Sequence, residues 1–201
     1  MANRNTSGFG LIAAGTVGST PATQGQGKYY IIAGAGAGGD LFQGCSVRMK
    51  DGYITEAQST RTFLTIGVFN GIFYNAATTL KPTWANWYNQ PITPANSEDI
   101  TAFVIDNPLQ LFVGSLLTTA AQAVYGYTVG LTVTAAGSET SGQSSSTLTE
   151  TTKSATANQW RLVRTAEDPE NNQNAAYRSV VVAHNLNQYL QNTGTAGITW
   201  Q

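Results

Sequence analysis

Glycine, proline, asparagine and aspartate cut this chain into short β-type runs, roughly ten to fifteen residues apart, and that punctuation excludes a helical core. The runs are 28–33, 46–50, 53–56, 64–73, 101–105, 109–113, 128–134, 159–165 and 177–183. The clearest is TVGLTVT, in which Val129, Leu131 and Val133 fall on one face and Thr128, Thr132 and Thr134 on the other. Such a period of two belongs to a strand with one face on a core and one in water. Asp51-Gly52, between Lys50 and Tyr53, is a hairpin signal, because glycine accepts the positive φ of a primed turn. Only Leu116 to Tyr125 has the composition for a helix, of one or two turns. The layer rules then lead to an all-β, single-domain β-barrel or β-sandwich, jelly-roll-like or tulip-like, with at most one short helix.

Two segments depart from the strand pattern. Residues 1–27 contain six glycines and only Phe9, Leu11, Ile12 and Val17 as sizeable apolar side chains, too few for a core of their own. They read either as a disordered tail or as an extended N-terminal arm that docks on another surface, ahead of a β-rich domain at 28–201. Residues 135–158 are dominated by small hydroxyl side chains around the single large apolar Leu148. Too little chain follows them to fold alone, so they read as a long exposed excursion within one domain, with an edge strand near 146–149.

Composition removes several classes of partner. Ten basic and eleven acidic side chains among 201 residues give a net charge of −1, without the cationic excess that phosphate binding demands. Nucleic acid is not expected, nor is a membrane: the best apolar run, Leu109 to Leu117, is broken by Gln110, Gly114 and Ser115. No secretory signal is read at the N-terminus. A single Cys and a single His fall short of a structural zinc site. No metal or other cofactor is expected.

Motifs with catalytic potential fail on their context. Gly34-Ala35-Gly36-Ala37-Gly38-Gly39 formally matches a dinucleotide fingerprint, but the following DLFQGCSVRMKDGYI carries Gly44 and an Asp-Gly turn where a helix should start. Cys45 and His184 supply a thiol and a base that the sequence does not bring together. Glu98, Asp99, Asp106, Glu167, Asp168 and Glu170 sit in turn-like surroundings, unlike the apolar settings that raise a general acid's pKa. The chain does not read as an enzyme. The most unusual segment is Trp84-Ala85-Asn86-Trp87-Tyr88, held between Pro82 and Pro91. Its rings either close one end of the barrel, form a protein interface, or stack on a glycan.

Several local patterns recur here in a recognisable order: Phe9-Gly10-Leu11; Lys28-Tyr29-Tyr30-Ile31-Ile32-Ala33-Gly34; Asp40-Leu41-Phe42-Gln43-Gly44; and the Asp51-Gly52-Tyr53-Ile54 hairpin. They continue with Ile66 to Tyr74, Lys81-Pro82-Thr83-Trp84, Ile105-Asp106-Asn107-Pro108 and Val180-Val181-Val182-Ala183-His184-Asn185. The chain resembles the capsid decoration, or cement, proteins of tailed bacteriophages, particularly those of marine phages. Residues 135–158 are the part least like that family. The resemblance implies a non-enzymatic homo-oligomer, dimer or trimer, made in the host cytoplasm. It would sit on the outer surface of the virion capsid and bridge major capsid protein subunits. Phe9, Leu11, Ile12, Trp84, Trp87 and Tyr88 are the candidate contacts with the capsid or with sister copies. The alternative is a glycan-binding β-sandwich module on a virion surface.

Overall fold

A computed structural model describes residues 7–18, 25–31, 39–57, 63–88, 92–119, 121–132, 137–155, 157–172 and 174–190. Its strands are β1 (Leu11–Thr16), β2 (Gly27–Ile31), β3 (Leu41–Phe42), β4 (Ser46–Lys50), β5 (Tyr53–Glu56), β6 (Gly67–Asn75), β7 (Pro82–Ala85) and β8 (Trp87–Tyr88). They continue as β9 (Ile100–Ile105), β10 (Gln110–Leu116), β11 (Thr128–Thr132), β12 (Gly137–Ser138), β13 (Gln143–Ser144), β14 (Thr147–Ser154), β15 (Trp160–Thr165) and β16 (Arg178–His184). The fold is all-β, as the punctuation requires. Among the described residues the only helical pieces are two 3₁₀ turns, Ala95–Ser97 and Gln122–Val124, the second inside the window read for a helix.

Strands β10, β14, β11, β15 and β16 close into a five-stranded barrel. β16 runs antiparallel along one edge of β10. The other edge is shared: β1 covers Gln110 to Gly114, and β14 meets β10 in parallel at Leu116 and Leu148. Alternation along these strands sends Phe112, Leu116, Val129, Leu131, Leu148, Trp160, Leu162, Val180 and Val182 inward to a common core.

The second sheet is antiparallel in the order β2-β9-β6-β4-β5, with β7 on the free part of β6, and β5 curls back to pack beside β2. The Asp51-Gly52 turn joining β4 to β5 has φ of 51° and 84°, the primed-turn geometry read from the sequence. A bulge at Asn70 lets Phe69 and Ile72, three residues apart, share one face of β6. That face packs with Ile31, Val47, Ile54, Ile100 and Val104 into a second core. Val68 and Ile105 point the other way, into the barrel core, so the barrel covers this end of the sheet.

Two expectations are corrected. Within the segment read as an arm, Leu11–Thr16 is an edge strand of the barrel sheet with Leu11 buried in its core, because β14 leaves most of one β10 edge unpaired. Within the segment read as an excursion, β14 is an inner strand between β10 and β11, with Leu148, Ser144, Ser146, Thr147 and Thr149 buried. A strand built from threonine and serine satisfies its backbone in the ladder as well as an apolar one does. The glycine run 34–38 lies outside the described residues.

A candidate interaction surface

Among the described residues, the barrel core takes in the outer face of the second sheet at its Val68–Ile105 end. Beyond that cover, cross-strand pairing sets Tyr30 opposite Thr101, Thr101 opposite Phe73, and Phe73 opposite Trp84. Neighbouring strands lie about 4.8 Å apart, so these side chains form one lateral row. Tyr30, Phe73 and Trp84 are 53%, 40% and 52% exposed, high values for rings on a sheet. Phe103, one pair further along β9, meets the Trp84 ring at 5.0 Å between centroids. Trp84 lies across Gly71, where an added Cβ would stand 2.7 Å from its Cζ2 and where φ is +147°. Glycine is therefore required beneath the ring on both counts. Lys28, on β2 opposite Phe103, is the one charged side chain among these paired positions.

Sequence reading found one member of this row. Tyr30, Phe73 and Phe103 each sit alone in a different strand, and only the pairing β2-β9-β6-β7 gathers them. The signal available was alternation: in Lys28-Tyr29-Tyr30-Ile31, Tyr30 has the opposite parity to Tyr29 and Ile31.

The other candidate contacts are distributed differently. Trp87 is half-buried and stacked on Phe42, with centroids 5.7 Å apart and planes within 5°. Tyr88 is fully buried in the second core, and β8 pairs with β3 rather than forming an open loop. Leu11 is likewise a core residue, which removes it and Tyr88 as surface contacts of this chain. Phe9 and Ile12 line a cavity along β1, and Ile12 is half exposed.

The thiol and the imidazole lie against different cores. Cys45 is buried in the second core, where loss of solvent and then the Glu56 charge push its thiol far up. His184 packs against Phe112 and Trp160 at 5.5 and 4.4 Å, its Nδ1 3.4 Å from Thr65 Oγ1, and burial holds its pKa down at about 4. Asp106 accepts a 2.5 Å hydrogen bond from Tyr29, whose phenol is pushed well above its usual range by burial and by that bond. Burial, with the nearby Asp40 charge, raises the Glu56 carboxyl. Among the described residues no group of three or more His, Cys, Asp or Glu side chains is placed to hold a metal ion. No family model, curated protein or solved structure matches this chain.

Proposed function

We propose that this chain is a capsid decoration protein that docks on the outer surface of an assembled phage head and bridges major capsid protein subunits. The observation that carries the reading is the aromatic row Tyr30, Phe73 and Trp84, exposed on a sheet face that the barrel covers elsewhere. Rings on paired strands are fixed before contact and lose little freedom on docking, the property of interface anchors. The near-neutral chain adds a second support, since identical copies packed side by side repel one another weakly. The resemblance of its ordered sequence patterns to phage decoration proteins is the third.

The test is attachment of the purified protein to expanded shells of its own phage that lack it, with copies counted per capsomer. Saturation at a fixed number is expected. Replacing Tyr30, Phe73 and Trp84 together by Ser should weaken attachment by about 30-fold or more, the loss of about 2 kcal/mol typical of one anchoring ring. Failure of the unaltered protein to bind shells overturns the proposal. If the same triple variant instead loses binding on a glycan array while shell attachment is unchanged, the row is a sugar-stacking platform.

A further inference from the structure

A second surface lies along the outer edge of β1, on residues separate from the aromatic row. A cavity of about 240 Å³, open on one side, runs between β1 and the bulged part of β6. Phe9, Leu11, Ile12, Val68 and Ile105 supply apolar walls, and Gln43, Asn70 and Gln143 bring carboxamides to it. None of its lining side chains is ionisable. Gln43 Nε2 donates to Asn70 Oδ1 at 2.8 Å, which fixes two of the three amides.

The outer edge of the strand beside this cavity is only partly taken up among the described residues. Leu11 N–H donates to Gly44 O at 2.8 Å, so it points away from β10. Alternation in an antiparallel pair then turns the N–H and C=O of Ala13 to the same outer side. Among the described residues no strand pairs with that side. The sequence LIAAGT carries neither charge nor proline, two devices that protect exposed edges, while Ile12 stands 50% exposed beside it.

We infer that the β1 edge and its cavity form a strand-addition site for an extended, uncharged polypeptide segment that places one large apolar side chain in the cavity. Backbone bonds to Ala13 would supply affinity, and the cavity would select the side chain, the division of labour in β-augmentation. An uncharged occupant follows from the uncharged lining, because an ionised side chain entering it would lose water without gaining a partner. A segment, rather than a folded partner, follows from size: a six-residue strand offers far less than the roughly 800 Å² per side of a stable folded interface.

The experiment uses the full chain and an N-acetylated, C-amidated Ser-Thr-Val-Leu-Val-Thr-Ser peptide, followed by amide chemical shifts. Saturable shifts at Ile12, Ala13, Gln43, Asn70 and Gln143 are expected. They should be lost when the peptide's alternate amides are N-methylated. Asn70→Asp keeps an acceptor for Gln43 but adds a charge at the cavity, and should weaken binding on the order of tenfold or more. Gln143→Glu repeats the test from the other wall if the first variant fails to fold. Equal binding of the N-methylated peptide, shifts confined to other surfaces, or unchanged affinity in a folded charge variant overturns the inference. So does self-association of the free chain through β1, seen by sedimentation, which would give that edge to a second copy. None of these outcomes depends on shell attachment.

Discussion

His184 shows how one residue ties the barrel to the second sheet. Its ring fills the space between Phe112 and Trp160 and reaches Thr65, at a site too dry for an imidazolium. With a folded pKa of about 4 against about 6.5 unfolded, the unfolded chain binds more protons between those values. This contribution to stability is complete above pH 6.5, falls as pH falls through that window and is fully lost below pH 4. The whole effect is on the order of 3 kcal/mol. Glu56, with its raised pKa, has the opposite slope, so the useful quantity is a difference. Urea midpoints of wild type and His184→Phe, which keeps an aromatic ring, should diverge in pH dependence between 6.5 and 4. Parallel curves would refute the assignment. Nothing local marked this residue: VVVAHN reads as a strand end, and its aromatic neighbours come from β10 and β15.

At the scale of elements, β1 corrects the expectation of an extended N-terminal arm. It completes the edge of β10 that β14 does not reach, and a bulge between Ala13 and Gly15 is held by buried Gln110, whose Nε2 donates to Gly15 O at 2.5 Å. Leu11→Ala should therefore cost about 2–5 kcal/mol in chemical denaturation, the range for a buried leucine. Deleting residues 2–16 should cost more and promote aggregation by baring the β10 edge. A deletion variant as stable and monodisperse as the full chain would return the segment to the status of an arm. β14 makes the complementary point: its hydroxyl-rich sequence looked like surface, yet only one apolar residue, Leu148, was needed to seat it inside the barrel sheet.

For the whole molecule, the two cores are coupled rather than merely adjacent. Val68 and Ile105 leave the second sheet for the barrel core, while the chain after β16 crosses back. There Gln188 acts as a short strand: its Oε1 accepts from Met49 N–H at 2.8 Å, its Nε2 donates to Met49 O at 3.1 Å, and its own N–H donates to Thr65 O. Tyr189 OH lies 2.6 Å from Tyr29 OH, extending this crossing to the edge of β2. Unfolding should thus be a single transition, with amides of β9 and β11 exchanging at matched free energies. Val68→Ala should lower both together by about 1–3 kcal/mol. Loss of protection in the barrel alone would show that the cores are independent.

By itself the sequence determined the all-β class, the primed hairpin at Asp51-Gly52 and most strand positions, because turn chemistry and side-chain alternation are local properties. It also determined the near-neutral character of the surface. Only the tertiary structure decided strand neighbours, and everything that depends on neighbours followed. Pairing made Leu11 and Tyr88 core residues, drew the Ser/Thr-rich segment into the barrel, and gathered Tyr30, Phe73 and Trp84 into one row from strands separated along the chain. Burial is a property of the space between elements, and a run of residues carries no record of which distant strand will fill it.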